Sequence, residues 1–402
     1  MLFTDPIHDE FSSLLLGLGP WGAGDVGEVQ RLAQEVKPGD DDSFYDAFVA
    51  YARRRIGEGD AALAKGHRES AYDCFVRAEC FLGMGYHPLY GTPVDPRLVE
   101  ALHLQMDTFD KAMALLDPPA EKLAIPYEGT TLPGYFVRAP GHAHDVRPTV
   151  IVGGGWDSTY GENYVGIGVP ALRRGYHVLI HDGPGQGRPL VDEGLPLRHD
   201  WEKVVTPVVD AALTIEGVDP DRIAYSSWSL GGYFAPRVAA YEYRLAAIVA
   251  DPGQLDVGTK FFGLMKKFGL SDDKVAKLPA IDPDDEKKVS AAIDRDRPLR
   301  WKIVQRGYWT NGAPGLGAYL AEMAKWKLAP EEVAAIRCPT LITAAQSDMA
   351  SSNAKDLYDA LTCPKTFVEF LDADGAGDHC ESLNRSMANR VMLDWLDDTL
   401  GG

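Results

Sequence analysis

The chain has 402 residues, 45% of them apolar, and a formal net charge of −19. That length and apolar content support a large core in more than one domain or one elaborated domain. A strongly acidic field repels phosphate backbones, so nucleic acid is excluded as an expected partner. No apolar run reaches the ~18 residues that span a bilayer, so no membrane association is expected. The opening MLFTDPIHDEFSSLLLGLG sets Asp5, Asp9 and Glu10 ahead of its apolar patch and has no basic leader, so no signal peptide is expected. The cysteines Cys74, Cys80, Cys338, Cys363 and Cys380 are odd in number and lack paired spacing, which fits a reducing cytoplasm rather than a disulfide framework. Without a C-x-x-C pair or H-E-x-x-H, no built-in metal site is expected.

In chain order, the first part reads as helical. Helices are predicted over 25–37, 42–65 with Gly66 as a C-terminal cap, 68–83, and 96–116, where Pro118 and Pro119 stop the pattern. Near residue 122 the character changes. LAIPYEG and GYFVRAP read as a hairpin turning at Thr130-Thr131, followed by short apolar runs at 149–152, 176–181, 222–225, 246–250, 340–343 and 366–371. Helical patterns near 163–174, 200–216, 231–242, 352–361 and 381–399 alternate with them. Such alternation predicts an α/β fold, a mostly parallel central sheet with helices on both faces. The expected division is a helical unit over 1–121 and an α/β unit over 122–402, with a helical insertion at about 255–335 before the next strand.

One strand-to-helix junction carries chemistry. SSWSLGGY nearly spells the G-x-S-x-G nucleophile elbow, a sharp turn that lifts a serine to the carboxyl edge of a sheet. The positions two before and two after the nucleophile must be small because strand and helix nearly touch. With Ser229 as nucleophile those are Ser227, where glycine is usual, and Gly231. A serine needs a base and the base needs an orienter. His379 lies in GAGDHC after the last strand, and Asp348 ends CPTLITAAQSD, so both are expected at the same edge. Asp251, Asp372 and Asp374 compete for the acid role, and Asp378 is expected to shape the histidine loop. The oxyanion donors are expected to be the Leu230 amide and the Trp156 amide in TVIVGGGWDS, with a position one residue either way open for the second. HDGPGQGRP lacks the Lys-Ser/Thr of a phosphate loop and is read as a structural turn, and His142 and His144 are read as a solvated loop.

Taken together, GGGWDS, HDGPGQG, SSWSLGG, CPTLITAAQSD and GAGDHC, in that order, resemble the α/β-hydrolase family. IPYEGTTLPGYF after a helical N-terminal region is similar to a subgroup with an N-terminal helical cap. It includes 2,6-dihydroxypseudooxynicotine hydrolase, fungal pigment hydrolases that shorten polyketides, and fermentation–respiration switch proteins. The resemblance covers roughly residues 40–400. It implies a Ser229–Asp348–His379 triad, no metal or organic cofactor, and a substrate held between cap and core. Several members cleave carbon–carbon bonds beside a ketone and others cleave esters. The expectation is therefore a cytoplasmic serine hydrolase of a small aromatic or polyketide-like carbonyl compound. A carboxylesterase or acyltransferase is the alternative within enzymes, and a binding or regulatory homologue with a vestigial site the alternative outside them. Tyr86, His87, Tyr90, Trp309 and Tyr319 are the candidates for lining the substrate pocket. Capped hydrolases of this type often dimerise, which adds a homodimer to the expectations.

Overall fold

Apolar runs too short for helices assemble into one eight-stranded sheet in the computed structural model, which describes residues 2–401. The strands are β1 (Glu121–Tyr127), β2 (Thr130–Val137), β3 (Arg147–Gly153), β4 (His177–His181), β5 (Val218–Trp228), β6 (Ala247–Asp251), β7 (Thr340–Ala345) and β8 (Lys365–Phe370). Their spatial order is β1-β2-β4-β3-β5-β6-β7-β8. The β1–β2 and β2–β4 pairs are antiparallel and every later pair is parallel. The hairpin corrects one expectation: Thr130 and Thr131 are strand residues paired with Tyr127 and Pro126. The turn is Glu128-Gly129, both at positive φ, where a two-residue loop demands left-handed backbone and glycine supplies it.

Side-chain alternation along the parallel strands feeds two cores. Val150, Val152, Val178, Ile180, Val249 and Leu341 face one, and Ile151, Leu179, Tyr225, Ile248 and Ile342 face the other. The first core also takes in helices α1 (Pro6–Gly17), α2 (Val26–Ala33), α3 (Asp41–Ala64), α4 (Arg68–Tyr86) and α5 (Pro96–Met113). The second joins the helices 202–212 and 231–239 to the segment between β6 and β7. That segment is helical, as its sequence predicts, with Gly258–Lys267, Pro283–Ile293 and Leu316–Met323 among its helices.

Helix α1 falls where only an apolar patch was expected. Asp5 caps it, accepting from the Ile7 and His8 amides at 3.0 and 3.1 Å. A Cβ at Gly17 would stand 1.5 Å from the Ser382 carbonyl oxygen, so the end of α1 packs directly on the loop that carries His379. Arg297 ties the β6–β7 segment to this region through 2.5 Å contacts with Asp5 and Asp41.

Candidate active site

Strand β5 ends at Trp228, and a helix begins at Gly231. Ser229, between them, has φ +59°, left-handed backbone that costs an L-residue of order 1–2 kcal/mol. The turn is tight enough that a Cβ on Gly231 would lie 1.8 Å from Ser227 Oγ. The Ser227 hydroxyl lies 3.0 and 3.1 Å from the Gly153 and Gly154 carbonyl oxygens and donates to them. The residue that replaces the usual glycine therefore ties the elbow to the glycine loop after β3.

Ser229 Oγ lies 2.9 Å from His379 Nε2, and His379 Nδ1 lies 2.8 Å from Asp348 Oδ2. The other Asp348 oxygen accepts the Ala350 amide at 2.8 Å. Burial alone would push the Asp348 carboxyl up, but the charge and hydrogen bond of His379 hold it below its usual range. Burial likewise opposes charge on His379, and Asp348 overrides it, raising the imidazole above its ordinary value. The His379 side chain is 47% exposed and Asp348 6%, so the imidazole opens to solvent while its orienter is covered.

The competing acids are engaged elsewhere. Asp251 is buried and pairs with Arg385 Nη1 at 2.5 Å while Thr343 donates to it at 2.8 Å. Asp372 accepts from Ser347 Oγ at 2.8 Å, while Asp374 is exposed and engaged through its backbone, the carbonyl accepting from Asn384. Asp378 takes the Ser382 hydroxyl and the Leu383 amide, bracing the loop after His379. His142 pairs with exposed Asp145.

A Cβ on Gly155 would meet Ser229 Cβ at 2.7 Å, so only glycine lets this backbone pass the serine. The Gly155 amide is spent on Ser158 Oγ at 2.8 Å. The Trp156 and Leu230 amides have no hydrogen-bond acceptor among the described residues, which leaves both free for an oxyanion. The Trp156 indole donates to Thr310 at 2.7 Å, and the Arg306 guanidinium lies 4.6 Å above its ring. HDGPGQG is a turn, and it also holds this loop: Gln186 Nε2 donates to the Gly155 carbonyl at 2.6 Å.

The expected pocket aromatics separate into two groups. Tyr86 and Tyr319 are 1% and 0% exposed and belong to the packing, Tyr86 donating to Gln105 at 2.7 Å and Tyr319 lying against Phe261 and Trp156. For them helical spacing marked core, because their rings fill space between elements. His87 and Tyr90 are also buried, but they reach the Asp157 carbonyl at 3.1 and 3.3 Å beside the glycine loop after β3. Trp309 is half-buried, edge-on to Tyr90.

Three site neighbours had no sequence signal of their own. The Ser229 amide points at Cys380 Sγ, 3.1 Å away, and Cys380 sits at positive φ. Gln254 donates to the Ser229 carbonyl at 2.6 Å, and Lys260 Nζ lies 3.4 Å from Gln254 Oε1. Gln254 and Lys260 follow β6 in a stretch without strand or motif, and only the fold brings them here.

Comparison with known proteins agrees with this architecture. The family model described as "Alpha/beta hydrolase family" matches residues 149–391. "Hydrolase LUC6" of Fusarium sp is 32% identical over 96% of this chain and 95% of its own. "20-hydroxy-prefusarin hydrolase FUS2" of Gibberella moniliformis is 31% identical over 96% and 94%. Among solved structures, 2,6-dihydroxy-pseudo-oxynicotine hydrolase superposes with a TM-score of 0.75 at 23% identity, covering 96% of this chain and 95% of that one. A parallel sheet with a serine at its strained strand–helix turn, a family model across most of that sheet and relatives matched end to end have one common reading: the chain belongs to the alpha/beta hydrolase family.

Proposed function

We propose that the chain is a serine hydrolase that cleaves the carbon–carbon bond beside a carbonyl in a small β-diketone-like or aromatic ketone compound, through an acyl-enzyme. The observation that carries the serine-hydrolase part of this reading is the unbroken Ser229–His379–Asp348 relay, 2.9 and 2.8 Å at its two links, and the choice of carbon–carbon bond follows the resemblance to 2,6-dihydroxypseudooxynicotine hydrolase. A vestigial site would have no need to keep a strained serine in line with an oriented imidazole.

Ser229 Oγ attacks the carbonyl carbon while His379 Nε2 takes the hydroxyl proton, and Asp348 stabilises the imidazolium that forms. The Leu230 and Trp156 amides receive the oxyanion. When the tetrahedral carbon collapses, the carbon–carbon bond breaks and its electron pair passes to the adjoining carbonyl as an enolate. His379 returns its proton to that leaving group. Water, deprotonated by His379, then releases the acid and restores Ser229. A relative named 20-hydroxy-prefusarin hydrolase supports a small-molecule substrate.

A fluorophosphonate probe read by mass spectrometry tests the nucleophile: labelling is expected at Ser229 and lost in His379→Ala. Labelling absent at Ser229, or unchanged in that variant, overturns the reading. β-Diketones assayed beside aryl esters test the bond. Turnover of esters alone replaces carbon–carbon cleavage with a carboxylesterase.

A further inference from the structure

Helix Gly258–Lys267 follows β6, and its third residue, Lys260, is half-buried beside the nucleophile turn. Gln254 joins the two, donating to the Ser229 carbonyl at 2.6 Å and facing Lys260 Nζ with its own oxygen at 3.4 Å. That long contact is the only hydrogen bond of the ammonium among the described residues. An ammonium carries three donors, so two are unspent.

The neighbouring cations are not in this position. Arg306 has Asp157 at 3.3 Å and Lys302 has Glu10 at 3.3 Å. Among the described residues, no carboxylate lies within ion-pair distance of Lys260, in a chain with 59 acidic residues against 40 Lys and Arg. Lys260 does feel the charge of Asp348, but that carboxylate already holds His379 and the Ala350 amide. Burial lowers the Lys260 ammonium to about 8, with Arg306 and Lys302 acting in the same sense and Asp348 against. It remains predominantly charged at neutral pH. A partly desolvated cation without a counter-charge is costly unless a ligand supplies one.

We propose that Lys260 binds an anionic oxygen of the substrate, and that the enzyme takes carbonyl compounds bearing a carboxylate or an enolate within reach of the acyl group on Ser229. The proposal rests on the serine-hydrolase reading above and narrows it to an anionic class. In carbon–carbon cleavage the electron pair of the broken bond ends on an enolate oxygen. Lys260 stabilises that oxygen by charge while the proton still comes from His379.

Calorimetric titration of Ser229→Ala protein, in which nothing turns over, tests this with three ligands. Benzoylacetate presents a carboxylate, 5-phenylcyclohexane-1,3-dione an enolate at neutral pH, and methyl benzoylacetate is the neutral control. At least one anion is expected to bind, and adding Lys260→Met should weaken it about 10- to 100-fold, the range of a charge-assisted hydrogen bond. The neutral ester should stay within about 2-fold, since it offers the ammonium no charge, and Lys260→Arg should restore most of the anion's affinity. Which anion responds identifies the group. Neither anion binding, an anion indifferent to Lys260→Met, or equal weakening of the neutral ester overturns the proposal. Because the titration needs no nucleophile, failure of fluorophosphonate labelling would sink the hydrolase reading alone.

Discussion

Two regions of this molecule hold perturbed carboxyl groups, and they are perturbed in opposite directions. At the carboxyl edge of the sheet, Asp348 is covered yet held below its usual range, because His379 answers its charge. Beneath α4, burial raises Glu79 to about 7 and pushes Glu162 and Asp182 well up. Their partners are neutral: Gln105 and Cys80 donate to Glu79, and the Tyr160 amide donates to Asp182 at 2.6 Å. Burial opposes charge in both places, and the presence of a cationic partner decides the outcome. A perturbed carboxyl alone therefore does not locate chemistry. A perturbed carboxyl tied to an open imidazole that faces a serine does.

The largest effect expected comes from removing the charge on the first side. Asp348→Asn keeps the shape but loses the carboxylate, and kcat should fall about 10⁴-fold. The sign of the pH effect follows from His379. Its raised pKa keeps the imidazole protonated, and useless as a base, until pH rises past a value above the ordinary 6.5. Without Asp348 the charge and hydrogen bond that raise that value are gone, so the acid limb of the kcat/KM profile should move to lower pH in the variant. A limb that stays in place would detach Asp348 from His379 and erase the contrast.

Behind the elbow lies a third arrangement that sharpens it. Arg385 is fully buried between Asp251 and Glu381, at 2.5 and 3.4 Å. Asp251→Ala leaves that guanidinium poorly compensated, and the expected loss is about 3–5 kcal/mol in denaturant unfolding. A loss near zero would mean that Glu381 alone serves the cation.

Glu79 should behave in the opposite way. Its folded pKa of about 7 lies above the usual 4.5, so the folded state keeps a proton that the unfolded chain releases. Its favourable contribution is complete below pH 4.5 and is lost as pH rises to about 7. The shift corresponds to roughly 3 kcal/mol. Glu79→Gln removes this slope. The variant should match the parent in acid and exceed it in stability above pH 7, measured by urea unfolding across pH. Equal pH dependence in the two proteins would show that Glu79 is not the group protonated.

The part of this legible in the sequence was whatever repeats or punctuates. Apolar runs bounded by turns gave the strands, and their ends placed Ser229, Asp348 and His379 at one edge. What was not legible depends on contacts between distant segments. Helix α1 reads as a mere apolar patch until the loop at Ser382 covers it. The hairpin turn lies two residues before Thr130-Thr131, where the positive φ belongs to Glu128-Gly129, a backbone property that the apolar pattern does not carry. Tyr86 and Tyr319 have the spacing of a pocket wall and of a core alike, and only burial separates them. Gln254, Lys260 and Cys380 reach the serine from two loops, and no local pattern announces that.

The smallest effect concerns the serine in the glycine position. If Ser227 only filled space, Ser227→Ala would be silent, since alanine is smaller and fits beside Gly231. The hydroxyl instead donates to the Gly153 and Gly154 carbonyls, and losing that bond should cost about 1 kcal/mol, with two buried acceptors left poorly satisfied. Those carbonyls belong to the loop that delivers the Trp156 amide. On the proposed mechanism that amide receives the oxyanion, so the loss should appear in kcat as well as in stability, with KM little changed, because a slack loop harms the transition state more than the bound substrate. Turnover equal to the parent, with stability reduced, would confine Ser227 to holding the turn together.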